Sequence, residues 1–279
     1  MWIKLKGLNA PISFDGAEAL VPVLKSVLRG WSVTNARNGQ GKPRISLTAG
    51  PRGFERRSPW IPGDDAKVLL DPVDAVCDLL LDLERAYIED TSSLLALHAA
   101  GVKIGEGVVV FPSTHATGKS LLTAALAHAG MRVFADDQLP IVPGTPAIAV
   151  APGFLPRLRR PLPSDLVQDL ADFIRAHPGP MSQQFRYVDL NKKVLAPLGE
   201  RAPVTGVVLF NREVGAKAKV EPVSEADLLK VCVLQSFGRS LGALEVLDHL
   251  HAMIKDAHCV KLTYATAPEA AALLQETYA

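Results

Sequence analysis

The period of the apolar positions changes several times along the chain, and each change marks an element. A first strand is predicted at residues 2–5 and another at 44–48, with a helical period over 17–28 that Pro22 interrupts and a turn-rich loop over 35–43. At residue 71 the pattern sharpens. Asp71 can cap a helix, Pro72 suits its first turn, and Val73, Val76, Leu79, Leu80, Leu83 and Tyr87 then recur with helical period. The apolar run over 94–104 turns at Gly105-Glu106-Gly107 into a second run, which predicts a hairpin of 97–104 with 107–111. An Ala-rich helix ending near Gly130 and a short strand at 131–135 follow. Strand, helix and strand in roughly thirty residues predict a parallel crossover unit.

Beyond it the pattern weakens. Residues 140–163 contain seven prolines, which predicts an irregular or edge segment wrapping the core, and carry Arg157, Arg159 and Arg160, a basic cluster that either meets a phosphate or an acidic substrate or simply solvates the proline-rich loop. A helix capped by Ser164 is predicted over 164–177, and a mobile polar flap offering Arg186, Lys192 and Lys193 to a ligand over 181–200. Then come a strand at 203–210, helices at 226–236 and 241–254, a strand at 259–264 and a last helix at 269–278 opened by Thr266 to Pro268. Arg52 to Arg57 with Phe54 reads as a solvated strand or loop face, or as a ligand contact. The alternation predicts an α/β fold, a mixed sheet with flanking helices, divided into a small mixed region at 1–70 packed on a core at 71–279.

Composition narrows the function classes. With 48% hydrophobic and 21% charged residues the chain reads as globular, and a formal net charge of +1 supplies no global attraction to nucleic acid or to an anionic membrane. No apolar run approaches the roughly 20 residues that span a bilayer, and the polar start is unlike a secretion signal, so a cytoplasmic protein is expected. Cys77, Cys232 and Cys259 are far apart and form no Cys-x-x-Cys pair, which predicts buried thiols. His249, His251 and His258 are spaced so that three imidazoles do not share one face, which argues against a metal there. A homo-oligomer is compatible with this reading.

Chemistry concentrates at residues 107–127, where a β-branched strand leads through Ser113-Thr114-His115-Ala116-Thr117-Gly118-Lys119-Ser120 into the Ala-rich helix. The first N–H groups of a helix lack intrahelical acceptors, and with the helix dipole they favour a polyanion. Lys119 would add a positive charge for the outer phosphates of ATP and Ser120 a hydroxyl for Mg²⁺. The competing reading is an ordinary strand-to-helix turn with Lys119 solvated. Asp136 and Asp137 end the next strand on the same sheet edge, where open α/β sheets place ligands. His98, taken alone, reads as a core histidine.

The segments 97–104, 112–120 and 134–137, in this order and spacing, resemble the HPr kinase/phosphorylase family, and more closely its short relatives without the N-terminal regulatory domain. The resemblance spans roughly residues 70–145. It implies a P-loop core akin to phosphoenolpyruvate carboxykinase and an ATP- and Mg²⁺-dependent serine-type kinase. The acceptor would be a hydroxyl on an unidentified protein, peptide or small molecule. It further implies that residues 113–120 bind nucleotide, that Asp136 is the base with His98 near it, and that Asp137 lies with Ser120 on the metal side. Ser113 and Ala116 stand where the family loop has glycines, His115 where it has serine, and residues 138–163 lack the family's Glu-x-Arg-Gly-x-Gly segment. These departures define the alternative, a regulatory scaffold that retains the fold without turnover.

Overall fold

The computed structural model describes residues 1–36, 41–61, 67–91, 94–113, 117–237 and 241–279. Six short strands, β1 (Trp2–Leu5), β2 (Ile12–Asp15), β3 (Val33–Ala36), β4 (Ile45–Gly50), β5 (Gly53–Arg57) and β6 (Lys67–Leu69), pair in the order β3-β1-β2-β4-β5-β6. Only β2 and β4 run parallel within this sheet. Helix α1 (Leu20–Val27) buries Leu20, Val21, Leu24 and Val27. Pro22 does not break it, because in a first turn the missing N–H has no intrahelical acceptor to lose.

Helix α2 (Pro72–Asp90) forms as predicted: Asp71 accepts hydrogen bonds from the N–H groups of Val73 at 2.7 Å and Asp74 at 3.3 Å. It packs on α1, β5 and β6. The reading of residues 52–57 as a solvated face fails at Arg56, which is 5% exposed and ion-paired with Asp78 and Asp82 of α2. The strand's inward alternation brings the guanidinium against α2, and two carboxylates there neutralise it.

The remaining elements are β7 (Leu95–Leu97), β8 (Ala99–Ile104), β9 (Gly107–Pro112), α3 (Lys119–His128), β10 (Arg132–Ala135), β11 (Leu139–Val142), β12 (Ile148–Val150), β13 (Arg157–Arg159), α4 (Gln168–Ala176), β14 (Pro178–Met181), β15 (Phe185–Val188), β16 (Arg201–Arg212), β17 (Lys219–Pro222), α5 (Glu225–Gln235), β18 (Ser236–Phe237), α6 (Ala243–Asp256), β19 (His258–Tyr264) and α7 (Ala267–Tyr278). The large sheet runs β10-β8-β9-β16-β12-β11-β7-β18, with β19 beside β16 and β17 beside β19. The hairpin of β8 with β9 is the one expected from residues 97–111, but β9 and β10 both pair antiparallel to β8. The crossover through α3 therefore joins two strands of the same direction that have β8 between them.

Helices cover both faces. In β9, Val109 and Phe111 join a core with Leu122, Ala125, Ala271 and Leu274, whereas Val108 and Val110 join one with Leu228, Cys232, Leu250 and Met253. A strand buried on both sides has no polar face, which explains its unbroken apolar run.

Three predicted segments differ from the observed ones. Residues 140–163 are not simply irregular: β11 and β12 are interior strands of the large sheet, and prolines 143 and 146 fall between them. The helix expected from 164 starts at Gln168 with no side-chain cap, and Asp165 instead pairs with Arg212 at 2.5 Å. The expected flap at 181–200 is packed, since Tyr187, Val188, Leu190, Leu195 and Ala196 are all buried. Its Arg186 donates to the Ile174 carbonyl at 2.8 Å, and the Lys192 and Lys193 carbonyls accept from Arg132.

Candidate active site

Strand β9 delivers the chain to Ser113, and Gly118, at φ +93°, turns it into α3. That left-handed conformation is one that glycine adopts without steric cost. Thr117 donates its hydroxyl to Ser113 Oγ at 3.0 Å, closing the base of the loop. Thr114, His115 and Ala116, expected to contact nucleotide, lie outside the described residues. Lys119 opens α3 and is 7% exposed, with Nζ 3.6 Å from Asp137 Oδ1 and 3.5 Å from the Asp137 carbonyl. Burial lowers its pKa, against the opposing pull of Asp137 and Asp136.

His98 sits where β7 and β8 diverge to pair with different strands. Its N–H donates to the Gln235 carbonyl at 2.8 Å, Nδ1 lies 2.9 Å from Gln235 Oε1, and Nε2 lies 3.0 Å from Asp137 Oδ1. The ring is thus held between the Gln235 side-chain amide and the Asp137 carboxylate. Arg157, on β13, reaches Asp137 Oδ2 at 3.4 Å, stacks over Phe185 at 4.7 Å and contacts the Cys77 thiol.

The two adjacent aspartates have different surroundings. Burial alone would raise the Asp137 pKa, but the hydrogen bond with His98 and the charges of Lys119 and Arg157 hold it well below the usual carboxylate range. Asp136 is 8% exposed, and burial raises its pKa despite the Arg157 N–H that donates to Oδ2 at 3.0 Å. Its other oxygen, Oδ1, accepts no hydrogen bond, although the Ser120 hydroxyl is near enough to favour the carboxylate.

Two clefts flank this cluster. The first, about 500 Å³, is lined by Gly118, Lys119, Ser120, Arg157, Arg159 and Arg212 among others. The second, about 550 Å³, runs between α2 and the α5–β18 junction, with Trp60, Leu81, Arg85, Leu234 and Phe237 in its walls. His98 and Asp137 line both, and Asp136 lines neither. Asp136 faces instead a smaller cavity of about 40 Å³ that also meets Glu84, Gln138 and Tyr187.

The structure thus gathers His98, Gly118, Lys119, Ser120, Asp136 and Asp137, which sequence reasoning selected, with Arg157, which it left open as a phosphate contact, and adds Arg212, Gln235 and Glu84. Glu84 left a readable signal: at helical spacing it shares a face with Leu80 and Ile88, both buried, and it is itself 3% exposed. Burial pushes its pKa well above the usual carboxyl range. Among the described residues no three His, Cys, Asp or Glu side chains form a ready metal-binding group, and no helix is long and apolar enough to cross a membrane.

No protein-family model matches the chain, and no curated protein does. Among solved structures, the HPr(Ser) kinase/phosphatase from Coxiella burnetii aligns at 12% identity with a TM-score of 0.32, over 65% of this chain and 96% of that chain. At such a TM-score the chemistry rests on this chain's own residues.

Proposed function

We propose that the protein transfers the γ-phosphoryl group of ATP, bound in the first cleft, to a hydroxyl presented in the second. The observation that carries this reading is that His98 and Asp137 line both clefts. A group bound in one and a group bound in the other would meet at these two side chains. In the first cleft the N-terminal amides of α3, with Lys119, Arg157 and Arg212, offer a concentrated positive field to a polyphosphate.

The proton is the acid–base half of the step. The acceptor oxygen bonds to the γ-phosphorus, the bond to the β,γ-bridging oxygen breaks, ADP leaves, and the hydroxyl proton passes to Asp137. We thereby exchange the roles implied by the family resemblance, making Asp137 the base and placing Asp136 on the metal side. Asp137 without ligand is a weak base because the His98 hydrogen bond and the charges of Lys119 and Arg157 favour its carboxylate form. Those same cations are the ones a phosphate would draw away, so ATP binding would strengthen the base where it is needed. Mg²⁺ fits on chemical grounds: Asp136 Oδ1 is buried without a donor, and the Ser120 hydroxyl is nearby. Bound there, Mg²⁺ would neutralise phosphate charge.

The test is calorimetry of ATP, ADP and inorganic phosphate, followed by incubation with γ-labelled ATP and free serine, threonine or a hydroxyl-bearing peptide panel. Binding that depends on Lys119, with transfer lost in Asp137→Asn, is the expected result. Absence of binding by all three ligands to folded protein overturns the reading. Binding without transfer to any acceptor would favour the nucleotide-binding scaffold, which has a use for the first cleft and none for the second.

A further inference from the structure

The second cleft carries a charge that the proposed reaction does not use. Helix α2 lines it along one stripe, with Leu81, Arg85, Ile88 and Glu89 at helical spacing. The Arg85 side chain is 42% exposed, and its contact with Asp82 Oδ1, at 3.6 Å, lies beyond hydrogen-bonding reach. Asp82 is already paired with Arg56, and Asp78 with Arg56 and Lys67. Three cations thus meet two carboxylates at this junction. Glu84 does not make up the difference, because burial pushes its pKa well above the usual carboxyl range. The acids that line the cleft are likewise engaged. Glu89, one turn beyond Arg85, accepts from Trp60 Nε1 at 2.8 Å and pairs with Arg44, while Asp137 pairs with Lys119 and Arg157. Asp90 shares Arg44 but does not line the cleft. Among the described residues, the charged group that faces this cleft without a hydrogen-bonded counter-charge is the Arg85 guanidinium.

We propose that Arg85 holds a carboxylate of the acceptor, so that the second cleft takes a hydroxy acid with an apolar body, its hydroxyl at His98 and Asp137. A planar guanidinium with open N–H groups matches a carboxylate in a two-pronged, charge-assisted contact. One cation suits one negative charge. The polyphosphate belongs with the three cations of the first cleft, Lys119, Arg157 and Arg212. Between Arg85 and the His98–Asp137 pair the walls are apolar: Leu81 and Ile88 on α2 face Leu234 and Phe237 across the cleft, and Trp60 closes it. A volume of about 550 Å³ is that of a small-molecule site, which buries an apolar body and orients it through a few polar groups. The α2 stripe therefore fixes one end of the acceptor and leaves the other at the junction of the two clefts. Placing the hydroxyl rests on the phosphotransfer reading, whereas the carboxylate site stands on the cleft alone and is tested without nucleotide.

The probes are linear ω-hydroxy carboxylates of increasing chain length, their primary amides and the matching phosphate monoesters. Each is titrated into the ¹⁵N-labelled chain, with the Trp60 indole N–H resonance reporting on this cleft. Carboxylates should move that resonance and bind at least about fivefold more tightly than their amides, a margin that allows for screening of a half-exposed charge. Arg85→Gln should abolish the preference, and Arg85→Lys, which keeps the charge, should retain part of it; melting curves confirm that each variant folds. Equal affinity for acid and amide in the wild type overturns the proposal, as does a preference that survives in Arg85→Gln or a Trp60 resonance that no carboxylate moves. Phosphate monoesters bound more tightly than carboxylates through Arg85 would overturn the assignment to a hydroxy acid. Inorganic phosphate, titrated separately, tests the Lys119 cleft, so failure of the carboxylate site and failure of the phosphotransfer reading are told apart.

Discussion

Asp136 and Asp137 are consecutive in the chain, yet their carboxylates respond to folding in opposite directions. Asp137 has His98 at 3.0 Å and two cations within 3.6 Å, whereas Asp136 has one backbone donor and a bare oxygen in a cavity. The unfolded reference for both is about 3.9.

The first prediction is a stability difference of opposite sign. Asp137, depressed in the fold, contributes stability that is present above the unfolded value and is lost as pH falls through its folded pKa. Asp136, raised in the fold, contributes stability that is present below the unfolded value and is lost as pH rises through its folded pKa. In metal-free protein at pH 7.5, Asp137→Asn should therefore lower the melting temperature and Asp136→Asn should raise or preserve it. Each effect is on the order of 1 kcal/mol after screening. Melts repeated near pH 4 should show the Asp136 difference shrinking while most of the Asp137 difference persists, because the folded pKa of Asp137 lies well below that pH; equal shifts of one sign at both pH values would refute the assignment.

The second concerns Lys119. Replacing it by Ala removes a charge-assisted contact worth about 1.5–3 kcal/mol, so ATP and inorganic phosphate should bind roughly 10- to 150-fold more weakly. Calorimetry on wild type and variant decides it, and unchanged affinity would place the anion elsewhere.

The third tests the loop's backbone. A Cβ at Gly118 meets no steric obstacle closer than Tyr264 Oη at 3.5 Å, so the cost of Gly118→Ala is conformational, about 1–2 kcal/mol for holding φ at +93°. A melt should report that loss, and phosphate affinity should fall with it if the loop relaxes. A stabilised variant would contradict the left-handed geometry.

The fourth joins the two halves of the chain. Arg56 pairs with Asp78 and Asp82 at the buried junction of β5 and α2, and Arg56→Ala leaves both carboxylates without it. Breaking a buried pair by removing one partner costs about 3–5 kcal/mol. Urea unfolding at pH 7 measures it, and a loss below about 1 kcal/mol would mean that Lys67, which pairs with Asp78, compensates.

What the sequence by itself determined is what local periodicity and local chemistry encode. The Asp71 cap with Pro72 set the start of α2, the two apolar runs about Gly105 set the β8–β9 hairpin, and Gly118-Lys119-Ser120 marked the turn into α3. Lys119 and the Asp136-Asp137 pair could be selected because strand ends and helix starts concentrate functional groups, whereas His98, which alone reads as a core histidine, became a candidate only through the resemblance. The tertiary structure decided which of these groups face one another, and that depends on pairings distant in sequence. Period-two alternation cannot say that β8 lies between β9 and β10, or that proline-bearing β11 occupies the sheet interior. A charged residue on an inward face reads as solvated until its partner is known, so Arg56 was legible as a charge and not as a buried one, whereas the helical spacing of Glu84 with Leu80 and Ile88 did mark it as facing inward. That Asp137 reaches both clefts as well as the cavity, while Asp136 reaches the cavity alone, is likewise set by the packing around the turn that follows β10 and not by anything local in the sequence.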